Sequence, residues 1–121
     1  MYIYFIGCYV SPNQPSFIKI GVSKNPPDRI GALQTSNPHK LKILRTVRIP
    51  TEMQAYAIEK RLHKVFKKAK KHKRGEWFDY SVLDDAVALC EKYANKNFRW
   101  KNEIVPKNLD IQHLERIRAH L

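Results

Sequence analysis

The chain has 121 residues, enough for one hydrophobic core, and its 43% apolar and 11% aromatic content excludes a disordered tail. No apolar run approaches the roughly 20 residues of a membrane span. Lys and Arg outnumber Asp and Glu by 23 to 11, a formal charge of +12, and residues 1–80 alone hold 16 basic and 5 acidic residues. Such a field favours a polyanionic partner, because each neutralised phosphate releases counterions. The competing reading is a surface charged for solubility. The apolar start, Met1 to Gly7, has no basic lead-in and no small-residue cleavage site, so it is not read as a signal peptide. Cys8 and Cys90 are too few for a disulfide framework and form no C-x-x-C pair. They are expected to be reduced thiols of a cytoplasmic protein.

Tyr2 to Val10 is rich in β-branched and aromatic residues and predicts a strand. Ser11 to Ser16, with two prolines, predicts a turn, and Phe17 to Val22 a second strand completing a hairpin. Asn25 is placed to cap a helix whose first positions are Pro26 and Pro27. Ile30 and Leu33 should face the core, and the helix should stop by Ser36, since Pro38 biases Asn37 away from helical geometry. Leu41 to Ile49 alternates apolar and basic residues and predicts a third strand. Regular alternation would set Lys40, Lys42 and Arg48 on one face and Arg45 on the other.

Thr51 and Gln54 have the spacing of a capping box opening the longest helix, with Ala55, Ile58, Leu62, Val65 and Phe66 as its buried stripe. That helix is expected to run into the lysine-rich segment and to end at Gly75. Glu76 to Tyr80 predicts a short strand, and Ser81 a cap for a helix whose apolar face is Val82, Ala86, Leu89 and Tyr93. Leu109, Leu114, Ile117 and Leu121 imply a last helix. The order β-β-α-β-α-β-α-α predicts an α+β fold, a small and mainly antiparallel sheet flanked by helices. Residues 1–95 are expected to form the domain and 96–121 a helical extension, a candidate contact for a homodimer.

Seven cations fall between Lys64 and Arg74 with no acidic residue among them. They would repel one another without a counter-charge and predict phosphate contacts. The expected nucleic-acid-binding set is Lys40, Lys42, Arg48, Lys60, Lys64, Lys67, Lys68, Lys71 and Arg74. Glu59 and His63 stand four apart on one helical face, either as joint metal or water ligands or as a simple intrahelical pair. Trp77 and Phe78 either stack on bases or close the core.

Tyr2-Ile3-Tyr4, Lys19-Ile20-Gly21, Arg29 and Glu59 follow one another as the motifs of the GIY-YIG nuclease superfamily do. The match is closer to a phage-rich branch described as a DNA-binding domain, in which K-I-G replaces the second motif. That branch's helix signature and E-[FW]-F strand read here as Glu59-Lys60-Arg61-Leu62-His63 and Glu76-Trp77-Phe78. The resemblance covers roughly residues 1–80. It implies hydrolysis of a DNA phosphodiester with magnesium or manganese. Tyr4 would orient or deprotonate water, Arg29 clamp the phosphate and Glu59 hold the metal. Glutamate supplies the hard oxygen that magnesium prefers, and arginine the planar fork that fits phosphate oxygens. Lys19 stands where the superfamily has a second tyrosine, and His63, with an ordinary pKa near 6.5, is the candidate base in its place. The expected function is a metal-dependent DNA endonuclease. The alternatives are a non-cleaving DNA-binding module of the same fold and an RNA-binding or assembly protein.

Overall fold

The computed structural model describes residues 1–68, 72–74 and 76–95. Strands β1 (Tyr2–Tyr9) and β2 (Phe17–Ser23) form the hairpin. Helix α1 (Pro26–Thr35), strand β3 (Lys40–Arg48) and helix α2 (Glu52–Lys68) follow. Two short strands, β4 (His72–Arg74) and β5 (Trp77–Asp79), and helix α3 (Leu83–Ala94) complete the described chain. The strands make one antiparallel sheet in the order β3-β1-β2-β5-β4.

Two apolar clusters lie on opposite faces of this sheet. Ile3 and Phe5 of β1 and Ile18 and Ile20 of β2 pack with Ile58, Leu62 and Phe66 of α2 and Ala86, Cys90 and Tyr93 of α3. Phe78, fully buried, closes that core, as one of the two aromatic residues of β5 was expected to do. On the other face Tyr4, Ile6, Cys8 and Leu41 pack with Ile30 and Leu33 of α1 and with Trp77. The alternating side chains of one central strand therefore serve two layers. Both cysteines are free and buried.

The helix starts follow their caps. The Asn25 side chain accepts a hydrogen bond from Asp28 N at 3.2 Å, and Thr51 Oγ1 accepts one from Gln54 N at 3.2 Å. From the last turn of α1, the Gln34 amide donates to the carbonyl of His39 at 2.8 Å and accepts from Leu41 N at 2.9 Å, which fastens the helix to β3.

Three local expectations are corrected. Helix α2 stops at Lys68 instead of continuing to Gly75, and residues 72–74 pair with β5. Mutual repulsion between cations three and four apart weakens any helix there, and the sheet supplies other hydrogen bonds. Ser81 is not the cap before α3. The Asp79 carboxylate caps a turn of 3-10 helix over Tyr80–Val82 by accepting from Ser81 N at 2.9 Å, and α3 continues from that turn. β3 is also not regular, because its register against β1 shifts between Phe5 and Ile6, leaving Leu44 as an extra residue. Lys40, Lys42 and Arg45 consequently share the face of α2 and α3, while Arg48, opposite Tyr2, lies on the face of Tyr4. The last predicted helix and the boundary at residue 96 lie outside the described residues.

Candidate active site

Tyr4 stands on the central strand with only 2% of its surface exposed. Its cross-strand partner is Gly21. A Cβ at that glycine would overlap the Tyr4 ring, so the ring lies across β2 where only a hydrogen fits. This is what the glycine of the K-I-G motif does. The Arg29 guanidinium, one turn into α1, lies close enough to the Tyr4 hydroxyl to act on its titration. Burial pushes the phenol up to about 12, with Arg29 acting against it and the charges of Glu76 and Glu59 acting with it. Tyr4 therefore keeps its proton at neutral pH.

Lys19, two residues before Gly21, is on the same face, because it pairs with Ile6. Although charged, it is 8% exposed. Its ammonium meets the Glu76 carboxylate at 2.5 Å and lies over the Trp77 ring, 5.5 Å from the centroid. The adjacent Glu76 and Trp77 thus give this lysine an anion and an aromatic face.

The outer edge of β2 explains how α2 joins the site. β5 pairs only with Phe17, Ile18 and Lys19. The next residue, Ile20, points both backbone groups toward the vacated side. Its N–H donates to the Glu76 carbonyl at 3.3 Å, and its carbonyl accepts from His63 Nε2 at 2.9 Å. A carbonyl cannot donate, so Nε2 carries the hydrogen and Nδ1 is left as the basic nitrogen. Burial lowers the His63 pKa, and its ring meets Phe78 edge-on at 5.1 Å. His63 thereby clamps α2 to the strand that carries Lys19 and Gly21.

Glu59 lies one helical turn before His63 and is 3% exposed. Its Oε2 is buried and has no hydrogen-bond partner among the described residues. Burial pushes its carboxyl up to about 8, the Glu76 charge adds to this, and Lys19 opposes it. Tyr4 feels Glu59 in turn. Four residues expected from the sequence, Tyr4, Lys19, Arg29 and Glu59, thus form one electrostatic neighbourhood. Glu76 belongs to it but was not among the expected site residues. The E-W-F motif was the signal that could have found it.

Among the described residues no three or more His, Cys, Asp or Glu side chains gather as a metal site. The donors nevertheless fit a magnesium-like ion, which usually takes one or two protein carboxylates and fills its other positions with water and phosphate. Glu59 offers an oxygen that no described residue satisfies.

The expected nucleic-acid-binding residues are dispersed. Lys40 and Lys42 are exposed on the α2 side of β3, and Lys42 Nζ lies 5.0 Å from the centroid of the Tyr9 ring. Arg48 is exposed on the opposite face. Helical spacing puts Lys60 and Lys67 on the flank of α2 next to Glu59 and His63. Lys64 and Lys68 join Arg61 and Val65 along a groove of about 390 Å³. Lys71 lies outside the described residues, and Arg74 belongs to β4. No described helix is long and apolar enough to cross a membrane.

Compared with known proteins, residues 1–102 match the family model of the T5orf172 domain. No curated protein and no solved structure matches the chain.

Proposed function

Because the chain belongs to the T5orf172 domain family, which is related to the GIY-YIG nucleases, we propose that it is a DNA endonuclease that hydrolyses phosphodiester bonds with magnesium or manganese. The observation that carries this reading is the buried carboxylate oxygen of Glu59, unpartnered among the described residues, in the electrostatic neighbourhood of Tyr4 and Arg29. A buried polar atom without a partner costs about 1–3 kcal/mol. Such a cost is tolerated mainly where a ligand satisfies the atom.

The chain's own groups divide the work. Glu59 would hold the metal through its free oxygen. When bound, a divalent ion lowers the pKa of a water molecule and offsets charge on phosphate. The Tyr4 hydroxyl, protonated and close to Arg29, orients the attacking water. The Arg29 guanidinium faces the charge that grows on the phosphoryl oxygens. Lys19 offers its ammonium to a non-bridging oxygen. His63 fixes the helix and, with Nε2 engaged, has Nδ1 left to take a proton. Lys60 and Lys67 beside the site, with Lys64 and Lys68 farther round α2, attract the backbone of the duplex and set its position.

The test is incubation of supercoiled plasmid with the purified chain in magnesium, in manganese and in EDTA, alongside Glu59→Gln and Arg29→Ala. Metal-dependent nicking that both variants lose is the expected result. Nicking that survives in Glu59→Gln would remove Glu59 from the chemistry. A second reading, a DNA-binding module that does not cut, is favoured by one observation. The position of the superfamily's second tyrosine is held by a lysine already engaged by Glu76. Salt-sensitive DNA binding without cleavage in either metal would establish that module.

A further inference from the structure

We propose that Glu76 is a second carboxylate for the divalent cation and that Lys19 screens it until phosphate arrives. The proposal rests on the preceding one only in taking a divalent cation as the ligand of Glu59. It assigns a new residue to that ion and adds a competitor for it.

Two buried or half-buried carboxylates lie within range of one another. Ile20 of β2 ties their segments together, donating to the Glu76 carbonyl at 3.3 Å and accepting from His63, one turn after Glu59, at 2.9 Å. Among the described residues only one of them makes an ion pair. The Lys19 ammonium holds Glu76, at 10% and 23% side-chain exposure, and Glu59 Oε2 has no partner. The three groups therefore carry two potential negative charges and one positive charge in a site with little water. A divalent ion between the carboxylates would satisfy Glu59 and take over the counter-charge that Lys19 supplies to Glu76.

Lys19 then needs another anion. The phosphate of a bound duplex is that anion in the proposed reaction, and an ammonium on four rotatable carbons can move to it from its place over the Trp77 ring. Occupation by phosphate and occupation by cation thus favour each other. Each releases a partner of the Lys19–Glu76 bridge to the other ligand. Two carboxylates with the remaining positions left to water and phosphate are what a magnesium-like ion prefers. The site therefore needs no third protein ligand.

The experiment titrates the full chain with manganese chloride in the absence of DNA, with free Mn2+ followed by electron paramagnetic resonance at constant ionic strength. Glu76→Gln is expected to weaken Mn2+ binding by about tenfold, the equivalent of about 1.4 kcal/mol. Lys19→Met is expected to strengthen it to a similar degree. Lys19→Arg, which keeps the ion pair, should behave like the parent. The decisive variant is the double substitution. If Lys19 competes for Glu76, Lys19→Met brings no gain in the Glu76→Gln background, whereas a general field effect brings the same gain in both. Unfolding curves for every variant separate loss of binding from loss of fold.

The proposal is overturned if Glu76→Gln binds Mn2+ as the parent does, if the Lys19→Met gain persists undiminished in the double variant, or if the parent binds no Mn2+. Plasmid nicking by the same variants keeps the two readings apart. Coupled Mn2+ binding without cleavage sinks the nuclease and leaves this site standing. Cleavage by a Glu76→Gln variant with parental Mn2+ affinity does the reverse.

Discussion

The Tyr4 ring rests on the backbone of Gly21, its antiparallel partner, with no room for a methyl group between them. Gly21→Ala must therefore move either the ring or the strand. A loss of about 1–3 kcal/mol in folding stability is expected, the usual cost of overpacking. The influence of Arg29 on the Tyr4 hydroxyl should weaken with it. Chemical denaturation measures the first effect. Because Arg29 holds the Tyr4 phenol down, a further rise of its pKa, followed by ultraviolet difference absorbance, measures the second.

The Glu59 carboxyl is raised from 4.5 to about 8 in the folded chain. The folded state then binds a proton that the unfolded state releases, so this contribution is fully present below pH 4.5 and is lost as the pH rises toward 8. The slope reaches about 1.4 kcal/mol per pH unit in that window. Glu59→Gln should flatten it. Urea unfolding at a series of pH values measures the difference between the two proteins. Millimolar magnesium should restore stability at pH 8 in the parent alone, since only a carboxylate rewards the ion.

His63 works in the opposite direction. Its pKa is lowered from 6.5 by burial, so the folded state disfavours the imidazolium. Its stabilisation is present above pH 6.5 and is lost as the pH falls below that value through the folded pKa. At neutral pH, His63→Ala should cost about 1–3 kcal/mol, because it leaves the Ile20 carbonyl without its donor. Amide hydrogen exchange should accelerate along β2 in that variant. Exchange unchanged there would show that the clamp holds nothing.

Alanine in place of Lys60, Lys64, Lys67 or Lys68 should weaken DNA binding similarly for all sequences. Each phosphate contact removed should lower the slope of log K against log salt by about 0.9. Fluorescence anisotropy on two unrelated duplexes at several salt concentrations checks this. Arg45→Ala, on a strand away from α2, serves as the comparison, and an equal change there would mean a diffuse field with no particular contact surface.

Much of the fold could be read from local rules, since a cap, a proline pair or an apolar stripe acts within a few residues. Asn25, Thr51 and the stripe from Ala55 to Phe66 are such cases. The failures were of other kinds. The lysine-rich segment has helical spacing, but its charges and the pairing partner offered by β5 end the helix at Lys68. The bulge at Leu44 depends on how β3 meets β1 and left no mark in the alternation. Asp79, not Ser81, took the capping role because β5 delivers its carboxylate to Ser81 N. The order of the motifs singled out Tyr4, Lys19, Arg29 and Glu59, which the fold brings into one electrostatic neighbourhood. The role of Glu76 was hidden, because an acidic residue beside a predicted strand has no visible counter-charge until Lys19 is brought to it.

The shortness of β5 has one more consequence. Had that strand continued for two more residues, it would have capped Ile20 as any neighbouring strand does, and the sheet would have been a wall between its two layers. The gap turns the wall into a doorway. A helix packed against one side can send an acidic group to chemistry conducted on the other, and any mutation that zips the edge shut should silence the site without touching a residue in it.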